Sequence, residues 1–291
     1  MTAADVFALH RTHLIGVAYR LTGSVADAED AVQEAWPKFA KAVGLDDARA
    51  WLTTVVSRIC LDRLRSAAVR RETYVGSWLP EPLLTTGEAD DPLASVVQAD
   101  GVRMAALVVL DRLTPDQRVA FVLHDAFSLP FSEIADVLGV SEASARQHAS
   151  RARKAVAGAE PPPRSALAEQ QEVLEKFLHA MSSGDIDAVL GLLHPQAVMV
   201  GDGGGKARTA VHTVTGAEKI ARFFFGLMRK YGFDRDGMPE LRPTLVNGEL
   251  GVVMAATGEA SRRVITMAVH DGKVHAVYDM ANPDKLAHVV F

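Results

Sequence analysis

The chain has 291 residues, 48% of them hydrophobic and 23% charged, which is enough apolar mass for two or three buried cores. Its single cysteine, Cys60, excludes an internal disulfide framework and suits a reducing compartment. A net charge of −5 argues against a protein that holds nucleic acid by bulk charge alone. The opening MTAADVFALHRTHL lacks a basic-then-apolar secretion signal, and no apolar run approaches a membrane span. A cytoplasmic protein without membrane contact is expected.

Residues 1–72 read as helical. A first helix ends at Thr22–Gly23, Ser24 caps a second with Asp27 at its third position, and Asp46 or Asp47 caps a third beginning near Ala48. Pro37 removes a backbone donor and clashes with the carbonyl of Gln33, so a kink or helix end is expected near Trp36. Trp51, Leu52 and Val55 share a face of the third helix, which makes Trp51 a core residue, with stacking on unpaired bases as the alternative. Residues 73–94 contain Gly76, Pro80, Pro82, Gly87 and Pro92 and read as a linker with local structure at most. Helices resume from about Ser95 to Leu113.

The stretch TPDQRVAFVLHDAFSLPFSEIADVLGVSEASARQHASRARKAV, from Thr114 to Val156, carries the strongest functional signal. Thr114, Pro115 and Gln117 form a capping box with proline at the first helical position. Ser132 is expected to start the next helix, Gly139 to end it in the left-handed region, and Ser141 to cap the one after. On that last helix Ala145, Ala149, Ala152 and Val156 fall on one side. Ala143, Gln147, Ser150, Arg151 and Lys154 fall on the other, with Arg146 and Arg153 on the flanks and Ser144 near the start. Small residues inside and cationic and amide groups outside suit a helix-turn-helix reading the major groove. A helical hairpin with a solvated basic face is the plainer alternative, and the capped Leu-Gly-Val-Ser turn weighs against it.

Charge is distributed unevenly. Residues 49–71 carry Arg49, Arg58, Arg63, Arg65, Arg70 and Arg71 against Asp62, and residues 146–154 add Arg146, Arg151, Arg153 and Lys154 without an acid. Glu81, Glu88, Asp90 and Asp91 lie between them. Two small basic patches on an acidic chain predict weak binding to DNA alone, and hence work as a subunit of a larger assembly.

Residues 159–165, AEPPPRS, form a stiff proline spacer, and residues 166–291 change in character. Two helices separated by Ser183–Gly184 precede strand-like runs at Ala197–Val200, Thr209–Thr213, Thr244–Val246, Leu250–Ala256, Arg263–His270 and Val274–Met280, with a helix at Ala217–Tyr231. Asn247–Gly248 and Asp271–Gly272 are hairpin signals, and the order argues for an α+β domain with a mainly antiparallel sheet. DGGGK, Asp202–Lys206, fails the phosphate-loop pattern at Val200 and Ala207. It reads either as a glycine turn or as a docking loop in which Asp202, Gly203, Gly204, Gly205 and Lys206 receive the linker segment WLPEP. Trp78, Pro80 and Glu81 would then be the docked residues, with Trp78 pre-ordered by the prolines. Asp202, Asp279, His194, His212, His270 and His275 are the titratable groups available for proton transfer, but nothing in the sequence sets any two of them face to face across a pocket.

DAEDAVQEAWPKFAKA at 27–42 followed by ARAWLTTVVSRICLDRLRS at 48–66 resembles region 2 of the extracytoplasmic-function RNA polymerase sigma factors, and the helix-turn-helix stretch resembles their region 4. WLPEP, DGGGK and NPDKL (282–286) resemble the marks of a subgroup with a fused SnoaL-like C-terminal domain. The resemblance implies five segments: region 2 at 1–72, a linker at 73–94, region 4 at 95–158, a proline linker at 159–165 and a SnoaL-like domain at 166–291, a cone of helices around a curved sheet. It implies that Asp27, Asp30, Gln33 and Glu34 grip core polymerase. Loop Gly44–Asp47 and the helix after it, with Arg58, Arg63 and Arg65, would read and open the minus-ten element. Region 4 would read the minus-thirty-five element. The implied function is promoter-specific initiation regulated in cis by the C-terminal domain, without catalysis or cofactor. A ligand-responsive regulator or enzyme, whose C-terminal pocket binds or converts a small molecule, is the alternative.

Overall fold

The computed structural model describes residues 2–71, 74–85, 102–157, 163–233 and 239–289. The chain forms two compact units, the first from residues 1–73 and 87–160 and the second from 74–86 and 161–291.

In the first unit, α1 (Ala3–Thr22), α2 (Val25–Phe39) and α3 (Ala48–Arg71) pack as a bundle. Its core holds Leu14, Val17, Leu21, Val32, Leu52, Val56 and Cys60, and burial pushes the Cys60 thiol up to about 12. The expected caps are present: Gly23 is left-handed at φ 69°, Ser24 Oγ accepts from Asp27 N, and Asp47 Oδ1 accepts from Ala50 N. Helix α2 runs through Pro37 and ends at Phe39, three residues beyond the expected break at Trp36. A proline so close to the C-terminus removes a single bond from the last turn, so the helix tolerates it. Residues 95–101 lie outside the described residues, and the next helices are α4 (Met104–Leu110) and α5 (Pro115–Phe121). A π-helical turn (Val122–Ala126), α6 (Phe131–Leu138) and α7 (Glu142–Ala157) complete the unit. Helix α6 starts directly after extended Pro130 rather than at a Ser132 cap, because the Pro130 carbonyl already accepts from Glu133 N and Ile134 N.

Helix α3 packs on α5 and α6, so the two segments read from sequence as separate sigma regions share one contact surface. Its anchor is Arg118 of α5, 1% exposed. Its guanidinium donates to Asp111 Oδ1 at 3.2 Å and, at 3.4 Å from both Nε and Nη2, to the carbonyl of Arg20. That carbonyl lies in the last turn of α1, where helical carbonyls lack intrahelical donors, so Arg118 joins the two halves by completing a helix end.

The second unit contains β1 (Leu84–Thr85), α8 (Leu167–Ser183), α9 (Ile186–Leu192), β2 (Leu193–Asp202), β3 (Val214–Thr215), α10 (Ala217–Tyr231), β4 (Leu241–Val246), β5 (Glu249–Met254), β6 (Arg263–His270) and β7 (Lys273–Met280). The sheet order is β1-β4-β5-β6-β7-β2-β3, antiparallel except where β2 pairs with β7. Asn247–Gly248 and Asp271–Gly272 have positive φ throughout, the geometry that two-residue hairpins require. Register shifts at Leu193/Val198 and Ala268/Val269 are bulges, which bend a sheet. Val173, Phe177 and Met181 of α8 and Ile220, Ala221 and Met228 of α10 join Met199, Val252, Met267 and Val277 of the strands in one core. Gln170 pins α8 to the sheet, accepting from Leu250 N at 2.7 Å and donating to the Ser165 carbonyl at 2.8 Å.

Two expectations are corrected. Thr209–Thr213 is irregular, and only Val214–Thr215 pairs with β2, because Thr209 turns inward to donate to Asp279 Oδ2 at 2.5 Å. Residues 74–85, expected to be linker, belong to the second unit. Leu79 and Leu83 are buried, Leu84–Thr85 adds an edge strand to β4, and Leu83 N donates to Asn247 Oδ1 at 3.0 Å.

Candidate nucleic-acid interface and linker clasp

Helix α7 has the two faces expected of a reading helix. Ala145, Ala149 and Ala152 are fully buried, Val156 half-buried, and Ala143, Gln147, Ser150, Arg151 and Lys154 exposed. Ser141 caps it through Ser144 N at 3.2 Å, and the two hydroxyls lie 2.9 Å apart, so half-buried Ser144 serves the cap rather than the open face. Among the described residues Arg151 and Lys154 make no ion pair, whereas Arg146 pairs with Glu142 of its own helix and lies over the Phe131 ring. Arg153 on the flank is taken by Asp125 in a bidentate pair of 2.9 and 3.0 Å. The free cations are those facing away from the bundle.

The face of α2 and α3 is less open than its charges suggest. Arg63 lies 3.1 Å from Asp27, 3.6 Å from Asp30 and 3.7 Å from Glu34, tying three of the four acidic and amide candidates to one of the arginine candidates. These carboxylates, hydrogen-bonded to its guanidinium, hold the Arg63 pKa above its usual value against the opposing effect of partial burial. Gln33 is exposed. Arg58 donates to the Asp136 carbonyl at 2.8 Å and Arg65 pairs with Asp116 at 2.8 Å, so both reach across to α6 and α5. Trp51 is half-buried with its ring 6.0 Å from Phe39, beside the Phe7–Trp36 edge contact at 5.1 Å.

The second unit builds a site from three short motifs. Asp202, at the end of β2, is 0% exposed and accepts four bonds. Tyr74 Oη donates at 2.6 Å, Leu79 N at 2.8 Å, Gly204 N at 3.1 Å and Lys285 Nζ at 2.7 Å. Lys285 also donates to the Leu79 carbonyl at 2.5 Å, and its ammonium lies 4.0 Å from the Trp78 ring centroid, within cation–π range. Asn282 Nδ2 donates to Tyr74 Oη at 2.8 Å. Burial and the neighbouring Asp202 carboxylate raise the Tyr74 pKa, so the phenol stays a donor. Pro80 is buried and Glu81 half-buried. The glycines are required here: Gly204 is left-handed at φ 58°, and a side chain on it would collide with Asn282. One expected contact is corrected. Lys206 points away and pairs with Asp284 on the surface, at 2.6 and 2.8 Å. The lysine that holds the linker is Lys285, whose position after a proline turn brings it under Trp78.

Comparison with known proteins agrees with this organisation. Sigma-70 region 2 matches residues 6–70 and Sigma-70, region 4 matches residues 103–156. The chain is 54% identical over 288 residues to the ECF RNA polymerase sigma factor SigJ of Mycobacterium tuberculosis (H37Rv), covering 94% of this chain and 90% of that relative. The chain belongs to the extracytoplasmic-function sigma factors. It is also 33% identical over 291 residues to the probable sigma factor SigI of the same species, covering 95% of this chain and 92% of the relative. The crystal structure of M. tuberculosis SigJ is similar at a TM-score of 0.82 and 51% identity, covering 98% of each chain. This sigma factor directs promoter-specific transcription initiation.

The titratable candidates for catalysis do not converge. Asp202 is committed to the linker, and Asp279 pairs with Arg263 at 3.0 Å. His194 stacks on His275 at 4.4 Å, with His270 6.0 Å from His275, and His212 is exposed. Partial burial and the neighbouring His194 and His270 lower the His275 pKa, which suits a structural stack better than a base poised near neutrality. Sequence reasoning missed Arg118, Tyr74, Asn282 and Lys285. A buried arginine has no pattern of its own, but the last two lie inside NPDKL, a motif noticed without a role, and Tyr74 lies four residues before Trp78.

Proposed function

We propose that this sigma factor is regulated in cis, its C-terminal unit acting by clasping the segment that joins region 2 to region 4. The observation that carries this reading is the buried Asp202 carboxylate, bonded at once to Leu79 N of the linker and to Lys285. The clasp withdraws residues 74–85 from the linker and leaves residues 86–101 to span from it to region 4. Promoter elements about two helical turns apart require the two regions to be held at a defined separation. In this reading α7 reads the minus-thirty-five element through Ala143, Arg146, Gln147, Ser150, Arg151 and Lys154. Helices α2 and α3 serve core polymerase through Asp27, Asp30, Gln33 and Glu34, and the minus-ten element through Arg58, Arg63 and Arg65. The C-terminal unit catalyses no reaction, and the protein acts in the cytoplasm; no helix among the described residues is long and apolar enough to cross a membrane.

The test is run-off transcription with purified core polymerase and the full chain, comparing wild type with Asp202→Asn and Lys285→Met. Both variants should change promoter output in the same direction while leaving core polymerase capture intact. Equal output from all three proteins would remove the clasp from regulation.

A further inference from the structure

The second unit encloses a cavity that the clasp does not use. It holds about 90 Å³ between α8, α10 and the strands, with Phe177, Met181, Phe224, Met228, Val252 and Met267 among its lining. Its walls are almost wholly apolar, and two polar groups break them. Tyr231 Oη is buried with no hydrogen-bond partner, and Arg263 contributes its guanidinium. A hydroxyl buried without a partner destabilises a fold, and phenylalanine would fill the same space without that cost. Arg263 has five N–H groups. Its Nε donates to the Ser261 carbonyl at 3.4 Å, Nη1 to Asp279 Oδ2 at 3.0 Å and Nη2 to the Arg208 carbonyl at 3.3 Å, leaving donors over. Asp279 neutralises Arg263, so an anion entering this apolar space would bring an uncompensated charge.

We propose that this cavity is a ligand site for a neutral, apolar compound of one or two rings bearing a single hydroxyl or carbonyl oxygen, read by Tyr231 and Arg263. The cavity has room for several water-sized spheres, and an apolar lining gives water few partners, so it favours an apolar guest over solvent. The ligand oxygen completes the bonding of Tyr231. A path from the site to the linker also exists. Asp279, the partner of Arg263, accepts from Thr209 and lies opposite Gly201 in the parallel β2–β7 register, one residue from Asp202. Use of that path rests on the clasp reading above.

2-Naphthol, naphthalene and 2-naphthoate serve as probes with the full-length protein, by calorimetry and thermal shift. 2-Naphthol should bind one to one and raise Tm, naphthalene should bind more weakly and 2-naphthoate most weakly. Tyr231→Phe, which removes only the hydroxyl, should weaken 2-naphthol about three- to tenfold and leave naphthalene unchanged. Leu178→Trp, which fills the cavity from α8, should abolish both. No 2-naphthol binding to wild type, or binding indifferent to both substitutions, overturns the site. Amide exchange at Leu79 with saturating 2-naphthol separates the two ideas: a changed rate supports the path to the clasp. An unchanged rate with probe bound overturns the path alone.

Discussion

The clasp allows a quantitative prediction because Asp202 has a closed set of partners. Asp202→Ala removes the acceptor for four donors and leaves the Lys285 ammonium, 10% exposed, without a carboxylate. Stripping one partner from a buried ion pair costs about 3–5 kcal/mol, most of it the desolvation of the charge left behind. Lys285→Met is milder. The methionine keeps an apolar stem against Trp78, and Asp202 retains the donors of Tyr74, Leu79 and Gly204, so a loss of about 1–3 kcal/mol is expected. Since each residue is the other's principal partner, the double variant should lose less than the two single losses combined, with a coupling of about 1–3 kcal/mol. Native-state hydrogen exchange of the 74–85 peptide reads this locally, which matters in a chain of two units where global unfolding is not one transition. Additivity within about 0.5 kcal/mol, or protection of Leu79 unchanged in Asp202→Ala, would refute the reasoning.

On α7, Arg151→Ala should leave stability within about 0.5 kcal/mol and weaken promoter binding, whereas Ala149→Arg should unfold the helix-turn-helix, because Ala149 is fully buried; promoter binding by Arg151→Ala equal to wild type excludes this helix as reader. Asp30→Lys with Glu34→Lys should reduce capture of core polymerase and, because Arg63 bridges both carboxylates, should also lower region 2 stability by about 1 kcal/mol; unchanged capture in a pull-down removes this face from the interface. His13 is held at about 4, first by burial and then by Arg49, against 6.5 when unfolded. Between those values the unfolded chain takes up a proton that the folded chain refuses, so stability falls as pH falls through that window. After screening at this partly exposed site the loss at pH 5 relative to pH 7 should be about 1 kcal/mol, read by urea unfolding and absent in His13→Gln; a wild type no more acid-sensitive than the variant contradicts it.

Local signals in the sequence determined most elements of both units. Thr114, Pro115 and Gln117 form the capping box they spell, Gly139 and Gly184 end their helices in the left-handed region, and Arg263–His270 is a strand with the bounds its alternation sets. Such features depend on residues within one turn or one strand pair, so pattern suffices. The alanine face of α7 is equally local, and its burial could be read residue by residue. Where tertiary structure decided, the deciding partner was far away along the chain. Lys285 rather than Lys206 holds Asp202, and the two lysines follow equally plausible loops; which of them faces inward depends on β2 and β7 lying side by side in parallel. Arg63 gathers Asp27, Asp30 and Glu34 because α2 and α3 cross there, turning two candidate surfaces into one paired patch. Residues 74–85 looked like linker because prolines and glycines carry no periodicity. Their burial comes from Leu79 and Leu83 filling space that a distant sheet supplies, and sequence spacing holds no record of that distance.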